Sequence, residues 1–141
     1  AQVLDLGCGT GLLGLLALKL GASAVDFSDI DSDSIIHTRA CCVANGLASP
    51  NVHLSDLLSA IPPHRYTVVI ANLYGEFVVT MLADPHLTEF LPTGRLVLSG
   101  ISDSKRAAVE TALLNVHFTV TKRLTKDGWW GLLAVRGGSF L

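Results

Sequence analysis

A short apolar run, Val3 to Leu6, is joined to a dense one, Leu12 to Leu20, by Gly7-Cys8-Gly9-Thr10-Gly11, and Gly21 closes the second run. That succession predicts a strand, a tight turn and a helix. In open parallel sheets ligands bind beyond the carboxyl ends of the strands, where glycines let the backbone come close to them. A dinucleotide fingerprint reads G-x-G-x-x-G, with its third glycine packing the helix and a pyrophosphate resting on the helix N-terminus. Here the pattern is G-x-G-x-G, and Asp5 stands just before it. An acid in that place is awkward beside a pyrophosphate and suits a ligand that carries an ammonium group.

The alternation of strand and helix continues along the chain. A second strand is expected at Ala24 to Ser28. Ser32 or Asp33 is then placed to cap a helix with apolar positions Ile35, Ile36, Cys42 and Val43, stopped by Asn45-Gly46. A brief strand follows at Val52 to Leu54. After Pro62-Pro63, the run Tyr66 to Ala71 has the β-branched character of a central parallel strand buried on both faces. A helix is expected from Glu76 to Leu91, a turn at Pro92-Thr93-Gly94, a strand at Arg95 to Ser99 and a helix at Lys105 to Leu114. In the tail, Phe118 and Val120 alternate with threonines, and Asp127-Gly128 precedes a last strand, Trp129 to Val135. That pattern predicts an antiparallel pair. The economical assembly is an α/β fold, a mostly parallel sheet flanked by helices and closed by a hairpin at one edge.

With 141 residues, 50% hydrophobic and 16% charged, the chain is the size of one domain with a substantial core. A net charge of -2 and a pI near 6.2 supply no basic field for a phosphate backbone, so strong direct nucleic-acid binding is not expected. Cys8, Cys41 and Cys42 are odd in number, and two are adjacent, which argues against a disulfide framework and for a reducing, cytoplasmic setting. Leu12 to Leu20 contains Gly14 and Lys19 and is too short to cross a bilayer. The chain begins at Ala1 and goes straight into a core strand, so residues 1–141 are expected to be an excised domain with something missing upstream.

Two further acids sharpen the ligand. Asp29, in Ser28-Asp29-Ile30-Asp31, follows the turn by about twenty residues, where an acid grips ribose hydroxyls. Asp56 follows the third strand, where it can accept a hydrogen bond from an adenine amino group. Asp5, Asp29 and Asp56, at three consecutive strand ends, outline a nucleoside-shaped site. S-adenosylmethionine has the ammonium group and lacks a phosphate. Against these readings stand plainer ones: Asp31 as a helix cap, Asp56 as an exposed loop residue, Cys8 as a small residue in the turn. Cys41 and Cys42 on a helix point about 100° apart, no histidine is spaced to join them, and no metal is expected.

The fourth strand runs into Ala71-Asn72-Leu73-Tyr74-Gly75, beside the transferred methyl if the cofactor lies as above. Through its side-chain oxygen Asn72 can accept a hydrogen bond from a substrate amine, aiming the nitrogen lone pair at that methyl. At this point DLGCGTG resembles the motif of class I methyltransferases. DIDSDSI, VVIANLYGE and GRLVLSGI resemble, within that class, the family that methylates large-subunit ribosomal protein eleven, PrmA. The likeness extends from Val3 to Val135. It implies a Rossmann-like seven-stranded sheet with helices on both faces. It also implies S-adenosylmethionine as cofactor, with S-adenosylhomocysteine as product, and methyl transfer to amino groups of a large-subunit ribosomal protein. Asp5, Gly7, Cys8, Gly9, Thr10, Gly11, Asp29, Ile30, Asp56 and Asn72 are the expected cofactor contacts. Asn72 is the expected orienting group, and Tyr74 a wall of the acceptor pocket.

That family usually carries a separate N-terminal domain that recognises the ribosomal protein. Neighbouring amino-group methyltransferases often carry an Asn-Pro-Pro-Tyr motif, whereas this chain has Asn72-Leu73-Tyr74. Trp129 and Trp130 alternate in a strand and are expected to pack the core and an edge. The rivals are a methyltransferase acting on RNA or a small molecule, a non-catalytic partner-binding domain on the same fold, and a nicotinamide-dependent oxidoreductase. The glycine spacing and the lack of a Tyr-Lys or His constellation count against the last.

Overall fold

Each of the seven expected strands forms in the computed structural model of the chain, which describes residues 1–137; positions 138–141 of the expected domain lie outside the described residues. In chain order the elements are β1 (Gln2–Leu6), α1 (Leu12–Lys19), β2 (Ala24–Asp29), α2 (Ser32–Ala44), β3 (Asn51–Leu54), β4 (Val68–Asn72), α3 (Gly75–Ala83), α4 (Leu87–Phe90), β5 (Gly94–Ser102), α5 (Asp103–Asn115), β6 (Thr119–Lys126) and β7 (Trp129–Arg136). The strands make one sheet in the order β3-β2-β1-β4-β5-β7-β6. The first five are parallel, and β7 runs antiparallel to both β5 and β6. From β1 the chain moves outward to β2 and β3, then returns to β4 on the other side of β1. A crevice therefore opens at the carboxyl ends of β1 and β4, the topological switch point of such sheets.

Strand side chains alternate between faces, and this divides the core in two. Leu4, Leu6, Val69, Ala71, Leu96 and Leu98 face α3 and α5, meeting Val78, Met81, Val109 and Leu113 in the larger cluster. Val3, Val25 and Phe27 face α1 and α2 in the smaller one, with Cys42 and the partly buried Leu15 and Leu18. Phe27 is fully buried, a contribution on the order of 2–3 kcal/mol, and it lies so close to α1 that a Cβ at Gly14 would sit 2.3 Å from its ring. Glycine at that position lets the helix lie close to the strand.

The expected helix from Glu76 to Leu91 is two helices. Pro85 has no N–H to give and drives Asp84 to an extended ψ of 120°, so α3 stops at Ala83. The Asp84 carboxylate then accepts the His86 N–H at 2.9 Å, and a single turn, α4, follows. Asp31, rather than Ser32 or Asp33, caps α2 by accepting the Asp33 N–H at 3.0 Å. Tyr66 precedes β4 instead of joining it; its ring is buried and its hydroxyl donates to Asp26 at 2.6 Å. β5 runs past Ser99 to Ser102 through a register shift between Leu98 and Ile101, where Gly100 has φ +80°.

Candidate functional site

The turn after β1 is hooked onto β2. The N–H groups of Gly7 and Cys8 both donate to the Ser28 carbonyl, at 2.9 and 2.8 Å. Gly7 has φ +75°, a backbone conformation that favours glycine, and a Cβ there would meet the tip of Leu73, Cδ2, at 2.6 Å. Gly11, at φ +86°, is the N-cap of α1. Gly9 is held from two sides: its N–H donates to Asp29 Oδ2 at 3.0 Å, and its carbonyl accepts the Thr38 hydroxyl at 2.8 Å. Asp29 Oδ1 accepts the Asp31 N–H at 3.0 Å. Each Asp29 oxygen thus carries one backbone bond and keeps acceptor capacity for a ligand.

Beside this turn lies a cleft of about 290 Å³ at the ends of β1, β2, β3 and β4, lined by Leu6, Gly7, Ser28, Asp29, Ile30, Ser55, Asp56, Leu57, Asn72, Leu73 and Phe77. Gly7, Asp29, Ile30, Asp56 and Asn72 of the expected contacts are therefore brought together. Asp56 and Ile30 are exposed on its rim. Leu57 holds a left-handed φ of 50°, a conformation that costs a non-glycine residue of order 1 kcal/mol. Ser55 secures it, donating to the Leu57 carbonyl at 2.7 Å and accepting the Ala60 N–H at 3.0 Å.

Other expected contacts stand behind or beside the cleft. Asp5 does not line it: the strand period turns its side chain toward α1, where Oδ2 accepts the Gly14 N–H at 2.9 Å and the residue is 1% exposed. Burial pushes its carboxyl up to about 6, against the Gly14 bond, with the Asp29 charge adding to the rise. Cys8 is buried, and its Sγ lies 3.2 Å from Thr38 Oγ1. Burial holds that thiol protonated, pushed up to about 11. Cys8, Gly9, Thr10 and Gly11 form the wall of the turn without lining the cleft.

At the β4 end, the Leu73 N–H donates to the Ser99 carbonyl at 3.1 Å, keeping Asn72 beside β5. Tyr74 is 61% exposed and leans on Trp129, with ring centroids 6.5 Å apart. Phe77, one turn along α3, lines the cleft where Tyr74 does not. Trp130 packs against the larger core, its Nε1 donates to Asp103, and the Arg106 guanidinium lies over its ring. Trp129 is 49% exposed and so does not pack the core.

Sequence reasoning missed Leu6, Ser28, Ser55, Leu57, Leu73 and Phe77 of the lining, and Thr38 behind it. Most are apolar or small residues next to expected ones and carry no chemical signal of their own. Thr38 had one: a β-branched hydroxyl residue inside a helix asks what its hydroxyl bonds. Among the described residues, no group of three or more His, Cys, Asp or Glu is set to hold a metal, and no helix is long and apolar enough to cross a membrane.

A family model described as ribosomal protein L11 methyltransferase (PrmA) matches residues 1–137. The ribosomal protein L11 methyltransferase of Geobacter metallireducens is 36% identical over 97% of this chain and 44% of its own length. That of Thermosipho melanesiensis is 35% identical over 94% of this chain and 48% of its own. The chain thus spans under half the length of these curated relatives. Among solved structures, ribosomal protein L11 methylase from Lactobacillus delbrueckii subsp. bulgaricus superimposes with a TM-score of 0.88 at 26% identity, covering 96% of this chain and 69% of that one. Magnesium protoporphyrin IX methyltransferase from Synechocystis PCC 6803, with bound SAM, gives 0.75 at 25% identity, covering 96% and 69%.

Proposed function

The chain belongs to the ribosomal protein L11 methyltransferase family, and on that premise we propose that its cleft binds S-adenosylmethionine and serves methyl transfer to amino groups of a large-subunit ribosomal protein. The observation that carries this is electrostatic. The described lining offers two carboxylates, Asp29 and Asp56, and no lysine or arginine. A pyrophosphate would be repelled there, whereas a cationic nucleoside without phosphate is welcomed.

In this reading Asp29 accepts the two ribose hydroxyls with the lone pairs its backbone bonds leave free. Asp56 accepts from the adenine amino group, and Ile30 and Leu57 supply apolar surface to the base. Gly9 leaves space: a Cβ there would meet nothing within 4 Å, so the ligand can approach the bare backbone. Asp5, one layer behind, holds the start of α1 through Gly14 and puts negative charge under the turn. When bound, S-adenosylmethionine supplies a methyl activated by its sulfonium sulfur. Asn72 accepts an N–H of the substrate amine and aims its lone pair along the line of displacement. Tyr74 walls the acceptor side. A lysine amine, ordinarily protonated with a pKa of about 10.4, must arrive neutral, and the cleft's apolar surface favours that form. The three free cysteines fit a cytoplasmic setting.

Calorimetry of the purified chain against S-adenosylmethionine and, separately, NAD tests the cofactor. Saturable binding of the first alone is expected, and binding of NAD, or of neither, would overturn it. Labelled methyl transfer to a large-subunit ribosomal protein, set against transfer RNA as acceptor, tests the substrate. Labelling of the RNA alone would reject a protein substrate.

A further inference from the structure

Thr38 sits in the middle of α2 with no exposed surface. Inside a helix, a threonine hydroxyl usually bonds back to its own preceding turn. This one leaves its helix altogether. It donates to the carbonyl of Gly9, 29 residues earlier in the chain, at 2.8 Å. Having one proton and having given it to Gly9, Thr38 Oγ1 is the acceptor in its 3.2 Å contact with Cys8 Sγ. A relay therefore runs from the Cys8 thiol through the Thr38 hydroxyl to the Gly9 carbonyl. The thiol is buried and protonated and so has the proton to give. On the same side, Thr38 Cγ2 stands 3.0 Å from where a Cβ on Gly11 would be.

We propose that Thr38 is a positioning residue for cofactor binding, anchoring the glycine turn to α2 so that Gly9 presents a fixed, open backbone to the ligand. The proposal rests on the reading of the cleft as an S-adenosylmethionine site. Its physical basis is that Gly9 has φ +58° and no side-chain contacts to hold it, so its two polar groups must do so. The N–H is tied to Asp29 at the end of β2, and the carbonyl to Thr38. Without the second tie the peptide can rotate. Asp29 is then pulled from the orientation in which it receives the ribose. Thr38 touches no substrate itself and acts through Gly9 and Asp29.

The test pairs Thr38→Val, which keeps the shape and removes the hydroxyl, with Thr38→Ser, which keeps the hydroxyl and removes the methyl. The dissociation constant for S-adenosylhomocysteine is measured by calorimetry, and amide hydrogen exchange at Gly9 is followed in the ligand-free protein. Thr38→Val is expected to weaken binding about tenfold, the size of one buried hydrogen bond, and to speed Gly9 exchange. Thr38→Ser is expected to stay within about threefold of the parent. In the transfer assay the valine variant should raise KM for S-adenosylmethionine and leave kcat nearly unchanged. Unaltered binding and exchange in Thr38→Val would overturn the proposal. So would equal weakening in both variants, since the hydroxyl that Thr38→Ser keeps would then not be enough to hold the turn. If the valine variant does not fold, Thr38→Ala compared with Thr38→Ser carries the same contrast. Failure of the parent chain to bind any adenosyl ligand would reject the cofactor reading, while the exchange comparison would still decide the role of Thr38.

Discussion

Asn72 Oδ1 lies where glycine at position 100 is the condition of its being there: a Cβ on Gly100 would come within 2.8 Å of it, and within 3.3 Å of the Leu73 carbonyl. The register shift in β5 that gives Gly100 its φ of +80° is thus part of how the β4 end is shaped.

Gly100→Ala should therefore disturb turnover before it disturbs cofactor binding. Moving Asn72 by less than an ångström is expected to lower kcat by up to about 100-fold, with the dissociation constant for S-adenosylhomocysteine changed less than about threefold. Asn72→Ala should give the same split. Steady-state kinetics beside calorimetry reads both. Turnover that survives in Asn72→Ala would remove that residue from the reaction.

Asp29→Ala should cost binding instead. It removes the acceptor for Gly9 and Asp31 N–H groups as well as for the ligand, so a loss of tenfold or more in affinity is expected. Asp29→Asn, which keeps one acceptor oxygen, should recover part of it. Calorimetry decides, and parent-like affinity in the alanine variant would displace Asp29 from the site.

Gly9→Val should separate folding from function. Its side chain would enter open space, so the fold pays mainly the left-handed backbone penalty of about 1–2 kcal/mol, while the ligand loses its approach. Thermal melting and cofactor titration of one sample test this. Gly14→Ala should behave oppositely, because its Cβ collides with buried Phe27 and must unseat α1.

Asp5 makes stability depend on pH. Its carboxyl is raised from an ordinary 3.8 to about 6, so the folded protein holds this proton more tightly than the unfolded chain. Stability from this group is greatest below about pH 4. It falls as pH rises toward 6, by up to about 3 kcal/mol, and is level above. Asp5→Asn should stabilise the protein at pH 7 and change little at pH 4. Urea unfolding at the two values measures it, and equal effects at both would refute a buried, charged Asp5.

Much of the fold was legible because strands buried on both faces and glycine turns leave local marks. The turns at Asn45-Gly46 and Asp127-Gly128 stand where those marks put them, and the β4 run forms two residues later than expected, from Val68. The break between α3 and α4 was also marked, by Pro85, but apolar spacing on either side of it hid the stop. At the site, residues with distinctive chemistry, Asp29 and Asp56, could be picked out, and the cleft gathers them with Asn72. Asp5 stands behind the cleft for a reason of geometry: whether an acid at a strand end faces the cleft or the helix behind depends on the parity of the strand, which the turn motif alone does not reveal. Thr38 acts on Gly9, 29 residues away, and no local pattern records such a partner, whereas Ser55 holds its near neighbours Leu57 and Ala60.

The placement of β7 between β5 and β6 has a bearing on how the chain is made. Synthesis delivers the five parallel strands first, and they can pair among themselves as they emerge. The outer edge of β5, beside the buried Leu96 and Leu98, then waits bare for its neighbour, the last of the described strands to appear. Until Trp129–Arg136 has been released, the nascent protein carries an open hydrogen-bonding edge, and any pause in translation over the hairpin prolongs its exposure to aggregation.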